Sequence, residues 1–279
     1  MQTEFDYTRE QLQDVYTENE IRSFYLLMSE NITGLSRTEL RLNKNTIFSN
    51  EQRNKLYTFI EKLKNFEPIQ YILGETEFCG LKFNVDTTVL IPRPETEELV
   101  EWIKRDQMTT ANLRILDIGT GSGCIAISIK YLLQNAEVSA FDISEEALET
   151  ARKNAAQNKQ NVIFEQIDIL NSNEFYEKWD IIVSNPPYVP LSEKTEIQPN
   201  VLNYEPHVAL FVPTDNSLIF YRKIADFALD HLQPEGKLYF EIHRDAGQNC
   251  IKMLIESGFK NVELRKDVSG NDRMIRAEK

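Results

Sequence analysis

The chain has 279 residues, 41% of them hydrophobic and 27% charged, which suits one large or two modest globular cores. A formal net charge of −13 has the wrong sign for gripping phosphate backbones, and no apolar run is long enough to span a bilayer. Three scattered cysteines, Cys79, Cys124 and Cys250, make neither a zinc-ligand spacing nor a disulfide framework, so a reducing compartment is expected and no metal site.

The N-terminal stretch Met1-Gln-Thr-Glu-Phe-Asp6 lacks the basic and apolar segments of a secretory signal, which predicts a cytoplasmic protein. Residues 8–65 then carry apolar side chains at helical spacing: Leu12, Val15 and Tyr16, then Ile21, Phe24, Tyr25, Leu27 and Met28. Ser36-Arg-Thr-Glu39 predicts a capping box, in which the two side chains reciprocally satisfy free amides. Asn50 is expected to cap a further helix with Leu56, Phe59, Ile60 and Leu63 on one face. A small helical bundle over residues 1–66 follows. Residues 67–94 read as a structured connector: one helical turn ending at Gly74, then a hairpin around Gly80 within Thr76–Val85. Leu90-Ile-Pro-Arg-Pro-Glu-Thr-Glu97 leads into an amphipathic helix, with Pro94 suited to its first turn and Arg93 held between two stiff prolines.

From residue 112 onward strands and helices alternate. Strands are expected at 114–118, 137–143, 162–169, 180–184 and 236–243, helices at 124–133, after Ser144, at 217–232 and at 246–256, and a terminal hairpin from 262–266 and 273–277. Such alternation predicts a doubly wound parallel sheet with helices on both faces, within a domain spanning 95–279.

Asp117-Ile-Gly119-Thr120-Gly121-Ser122-Gly123 joins the first of these strands to its helix. The glycines permit a sharp turn and close backbone approach, and the helix N-terminus is expected to offer free amides to an anionic group. Asp142 ends the next strand at about the ~20-residue interval from which an acid reaches ribose hydroxyls. The Gly-x-Gly-x-Gly spacing with a preceding acid departs from the dinucleotide pattern. It resembles the S-adenosylmethionine loop of Rossmann-like methyltransferases, with Asp117 suited to the amino and sulfonium end of that cofactor. Asp168, followed by Ile169, would lie near the adenine or merely cap a strand end.

Trp179–Ser184 reads as a buried strand that two prolines must terminate, which holds Asn185-Pro186-Pro187-Tyr188 at the carboxyl edge of the sheet. A planar amide is a poor nucleophile because its lone pair is delocalised; the ~18–20 kcal/mol barrier to peptide rotation gauges that conjugation. The Asn185 oxygen and the Pro186 carbonyl can accept the two N–H bonds of such a group and favour a pyramidal nitrogen. Tyr188 can stack on it and exclude water. Asn185 would also border the cofactor. No Ser/His/Asp or Cys/His constellation is evident, and His207, His231 and His243 are too scattered for a metal site.

Together these stretches resemble the PrmC/HemK family of protein-(glutamine) methyltransferases that modify peptide chain release factors. The matching residues are Gln70-Tyr-Ile72 with Gly74, Leu90–Glu97, Asp117–Gly123, Ser184–Tyr188 and Tyr204-Glu-Pro206. The resemblance implies a class I methyltransferase fold, S-adenosyl-L-methionine as cofactor, and the glutamine of the Gly-Gly-Gln motif of class 1 release factors as substrate. It also implies a docking role for the bundle, and substrate contacts are expected from Arg93 and Glu95 beside the Asn185 tetrad; the charge and the absence of a long apolar run predict no direct nucleic-acid or membrane partner, and a monomer is expected. The chain departs from the family at Phe211–Asn216, where a glycine pair, an acid and a glycine are usual, and at His243, where a glycine is usual. Three alternatives remain open: a ribosomal-protein glutamine methyltransferase, an exocyclic-amine nucleic-acid methyltransferase, and a regulator that binds S-adenosylmethionine without chemistry.

Overall fold

The computed structural model describes residues 3–42, 48–107, 112–171 and 177–279. Four helices come first: α1 (Glu4–Leu12), α2 (Glu18–Thr33), α3 (Arg37–Leu42) and α4 (Asn50–Lys64). Each opens on a reciprocal cap: Thr3 with Asp6, Thr17 with Glu20, Ser36 with Glu39, and Ser49 with Gln52. Asn50, expected to be the cap of α4, is instead its first helical residue. Ser49 lies one position earlier with a glutamine three residues on, and so satisfies two amides where Asn50 could satisfy one. The turn α5 (Ile69–Leu73) closes on Gly74 in the left-handed region, φ 75°. The strands β1 (Glu75–Phe78) and β2 (Leu81–Asn84) form the expected hairpin about Cys79 and Gly80.

Pro94 opens α6 (Pro94–Gln107). There follow β3 (Arg114–Ile118), α7 (Cys124–Leu132), β4 (Glu137–Asp142), α8 (Glu145–Gln157), β5 (Ile163–Gln166) and β6 (Trp179–Ser184). A two-residue parallel pair, β7 (Val189–Pro190) with β8 (Phe211–Val212), brackets the one-turn helix α9 (Pro199–Leu202). Then come α10 (Ile219–His231), β9 (Leu232–Glu241), α11 (Gly247–Ser257), β10 (Lys260–Lys266) and β11 (Asp272–Glu278). The main sheet has the order β10-β11-β9-β6-β3-β4-β5. Its last five strands in that order are parallel, and β11 runs antiparallel to both β9 and β10. The third expected strand is shorter than its apolar pattern suggested. β5 stops at Gln166, so Asp168 stands two residues beyond the sheet.

Side-chain alternation fixes the two layers. Ile115, Ile181, Val183 and Tyr239 pack into the core beneath α6 and α7, while Leu116, Ile118, Ile182, Leu238 and Phe240 pack beneath α10 and α11. A third core, built on Leu12, Ile21, Met28, Leu56, Ile60 and Leu63, belongs to the helices at the N-terminus.

The chain clusters into two compact units: Met1–Gly74 with Gln198–Tyr204, and Glu75–Ile197 with Glu205–Lys279. The turn 67–74 therefore goes with the bundle and the hairpin with the sheet. The segment carrying α9 returns to the bundle, where the Tyr204 hydroxyl donates to the Asn65 carbonyl at 2.7 Å.

Candidate active site

The strand order changes direction at β3, which leads to β4 and β5 on one side and has β6 and β9 on the other. A crevice at the carboxyl ends of strands is expected at such a point. A cavity of about 280 Å³ lies there. The β3–α7 loop contributes Gly119 and Gly121 to its wall, the end of β4 contributes Asp142 and Ile143, and the segment after β5 contributes Asp168 and Ile169. From the end of β6 come Ser184, Asn185, Pro186 and Pro187.

The loop is built from internal bonds. The amides of Gly119 and Thr120 donate to the Phe141 carbonyl at 2.8 and 3.0 Å, Gly121 donates to Asp142 Oδ2 at 2.8 Å, and Gly123 donates to the Thr120 carbonyl at 2.9 Å. Four amides of the loop are thus satisfied within the protein. Gly123 has φ 81°, and a Cβ there would lie 2.8 Å from Ile127 Cδ1 and 3.1 Å from Ala151 Cβ, so only glycine lets α7 and α8 approach this closely.

Asp142 is anchored at both oxygens, since Ser144 N donates to Oδ1 at 3.0 Å. Each carboxylate oxygen keeps a second lone pair for a ligand. Burial raises its pKa, and the amides of Ser144 and Gly121 oppose that shift. Asp117 is fully buried behind the loop and is not on the cavity wall. Its Oδ2 accepts from Thr120 Oγ1 at 2.6 Å, while Oδ1 has no partner in hydrogen-bond geometry. Thr120 and the Ala126 amide favour its charge. Burial dominates and pushes the carboxyl up to about 7, with Asp142 adding repulsion. Thr120 and Ser122 are likewise buried beneath the loop and do not line the cavity. Asp168 holds its own turn, accepting from Leu170 N at 2.9 Å and Asn171 Nδ2 at 2.6 Å.

On the far side of Asn185 the side-chain amide donates to Thr96 Oγ1 at 3.4 Å. Thr96 donates in turn to Glu241 Oε2 at 2.6 Å, and the Tyr188 hydroxyl donates to Glu241 Oε1 at 3.4 Å. Tyr188 therefore faces Glu241 and lies 5.9 Å, ring to ring, from His243, whose Nε2 is 3.2 Å from Glu193. Burial raises the pKa of both Tyr188 and Glu241. Arg93 pairs with the buried Glu205 at 2.6 Å, and the Ile91 amide donates to the same carboxylate at 3.2 Å. Glu95 is half-buried in the first turn of α6. Neither Arg93 nor Glu95 lines the cavity.

Sequence reasoning did not single out Thr96, Glu205 or Glu241 individually, nor the wall residues Val208, Ala209 and Phe220. Their signal was positional: Glu205 sits in Tyr204-Glu-Pro206, and Glu241 follows the residue that pairs with Ser184 across β6 and β9. Among the described residues, no group of three or more His, Cys, Asp or Glu side chains is placed to hold a metal, and no helix is long and apolar enough to cross a membrane.

Residues 109–260 match the family described as "Methyltransferase domain", and residues 5–74 match the "PrmC N-terminal domain". A release factor glutamine methyltransferase of Flavobacterium psychrophilum is 49% identical over 268 residues, covering 95% of this chain and 94% of the relative. The chain belongs to the release factor glutamine methyltransferase family. A second member of that family, from Bacteroides thetaiotaomicron, is 44% identical and covers 98% of both chains. A methyltransferase of Pyrococcus furiosus shares the fold with a TM-score of 0.52 at 22% identity, covering 83% of this chain and 98% of its own. The seven-stranded sheet with its antiparallel end is therefore the class I methyltransferase sheet that the resemblance implied, and its five parallel strands are those the alternation of elements predicted.

Proposed function

We propose that this family member methylates the side-chain amide nitrogen of the glutamine in the Gly-Gly-Gln motif of class 1 release factors. The observation that carries the reading is Asn185-Pro186-Pro187 on the wall of the same cavity as the Gly119–Gly121 loop and Asp142.

The cofactor is S-adenosyl-L-methionine, and the residues present fit it. Asp117 lies behind the loop and off the cavity wall, so its carboxylate would favour a cationic amino group through its negative field and not by direct contact. Asp142 has lone pairs to spare for ribose hydroxyls. Ile143, Ile167 and Ile169 offer an apolar wall beside Asp168 for a flat base. When bound, this cofactor supplies an electrophilic methyl group on a sulfonium.

The chain's own part is to make an amide nitrogen nucleophilic. The Asn185 oxygen and the Pro186 carbonyl accept the two substrate N–H bonds, which holds the nitrogen's lone pair out of conjugation. Both acceptors are neutral, so no unpaired charge is buried beside the sulfonium. Tyr188, whose hydroxyl donates to Glu241, follows Pro187 of the cavity wall and would exclude water from the substrate amide.

The N-terminal bundle is read as the docking module for the body of the release factor. Its groove, lined by Tyr57, Glu61, Lys62, Asn65, Glu67 and Tyr204, offers both aromatic and charged contacts. The protein is read as a cytoplasmic monomer.

The test supplies labelled S-adenosylmethionine with purified release factor, ribosomes or total RNA. Label should enter the release factor, and mass spectrometry should place one methyl on the Gly-Gly-Gln glutamine. Label confined to ribosomal protein or RNA would replace this reading with one of the alternatives.

A further inference from the structure

Asn185 can act as an acceptor only if its side-chain oxygen, and not its nitrogen, faces the substrate. The two ends of a primary amide have nearly the same shape, so packing alone does not choose between them. Something must fix the rotamer chemically.

Three residues lie in a row to do so. Thr96, in the first turn of α6, is 2% exposed and has a single hydroxyl proton. Its Oγ1 is 2.6 Å from Glu241 Oε2, a short contact of the kind a hydroxyl makes to a carboxylate. An ionised carboxylate only accepts, and the Tyr188 hydroxyl already donates to its other oxygen at 3.4 Å. The Thr96 proton is therefore committed to Glu241, and toward Asn185 Thr96 has only lone pairs. Asn185 can meet them only with Nδ2, as the 3.4 Å contact records. The amide oxygen is thereby turned away from Thr96.

The fold brings the three together by register. Ser184 on β6 pairs with Phe240 on β9, so Asn185 and Glu241 each follow by one residue on the sheet face that α6 covers. Burial raises the Glu241 pKa and the nearby Glu95 carboxylate adds to it, while the Thr96 and Tyr188 hydroxyls and the Arg273 guanidinium favour the carboxylate form on which the relay depends.

We infer that Thr96 and Glu241 are positioning residues for the methyl transfer: a Glu241–Thr96–Asn185 relay fixes which end of the Asn185 amide meets the substrate nitrogen. This rests on the reading of Asn185 given above and adds the means by which its acceptor is presented. Without the relay both amide orientations are populated, and in the wrong one an N–H faces the substrate N–H.

The experiment measures single-turnover methyl transfer to intact release factor, cofactor affinity and thermal midpoint on each of five proteins. They are the parent, Thr96→Ser, Thr96→Val, Asn185→Ala and the double variant Thr96→Val/Asn185→Ala. Thr96→Val, nearly isosteric but without the hydroxyl, should slow transfer roughly 10-fold, the scale of one lost hydrogen bond, with cofactor affinity unchanged. Thr96→Ser restores the hydroxyl and should recover to within a few-fold of the parent. The double variant should be no slower than Asn185→Ala alone, because the relay acts only through Asn185. A merely structural Thr96 would instead slow both backgrounds by the same factor, and that result overturns the relay. Should Thr96→Val fail to fold, Thr96→Ala, which sets no methyl against the Glu241 carboxylate, must show the same loss. Parent-like transfer by a folded Thr96→Val or Thr96→Ala overturns the relay while leaving the Asn185 reading intact, provided Asn185→Ala is slow. Parent-like transfer by Asn185→Ala overturns both.

Discussion

Asp117 shows how single residues here set binding against stability. Its carboxyl is buried, has one oxygen without a partner, and is pushed from its ordinary value near 3.8 up to about 7. A carboxyl that holds its proton more tightly when folded contributes stability below pH 4, and that contribution is lost as pH rises through about 7. Asp117→Asn removes the titration and keeps an acceptor for Thr120. The variant should therefore unfold several degrees higher than the parent at pH 8, yet show little difference near pH 4. Thermal denaturation at the two pH values checks this. Equal midpoints at pH 8 would mean that the buried charge is satisfied within the protein itself. The same variant should bind S-adenosylmethionine more weakly, since the amide supplies no negative field behind the Gly119–Gly121 wall.

At the scale of elements, the β3–α7 loop depends on Gly123. Alanine there would need a left-handed backbone, costing roughly 1–2 kcal/mol, and its Cβ would press on Ile127 and on Ala151 in α8. Ala151 offers no flexible side chain that could yield. Gly123→Ala should therefore lower the thermal midpoint and weaken cofactor binding together, as calorimetry and thermal unfolding would record. Binding preserved at full strength would show that the loop can move without disturbing Asp142.

Much of this level was legible in the sequence, because strand–helix alternation, the glycine spacing and the prolines after β6 each act within a few residues. Asn185, Gly121 and Asp142 reached the cavity wall for that reason. Elements fixed by distant partners were not legible. β7 and β8 are two residues each and exist only because Val189 finds Phe211. Thr96 looked like one helix residue among acids, and Glu241 like a strand end; only the β6–β9 register and the packing of α6 on that sheet face make them neighbours of Asn185. Arg93 was marked by its stiff flanking prolines, but its partner Glu205 lies 112 residues away. Asp117 was found, yet its burial behind the loop depends on how α7 packs.

For the whole molecule, the acidic chain divides its work between a helical unit and a sheet unit with separate cores. The helical periodicity of the first unit could be read directly, but not its extension from residue 66 to Gly74. The return of residues 198–204 to it could not, because docking leaves no periodic trace. If the bundle groove holds the release factor, Tyr57→Ala should raise KM for the intact protein several-fold and leave a short Gly-Gly-Gln peptide unaffected. Steady-state kinetics on both substrates decides the matter, since equal effects on the two would make the bundle only structural.

The central claim is that Asn185 presents an acceptor to a substrate amide beside the cofactor cavity. Asn185→Ala removes that acceptor while sparing the Gly119–Gly121 loop and Asp142. Single-turnover methyl transfer to release factor and S-adenosylmethionine affinity should be measured on the same preparation of this variant. By analogy with the loss of one oxyanion-hole donor, transfer should fall ~10²–10³-fold with cofactor affinity little changed; transfer within a few-fold of the parent would contradict the account.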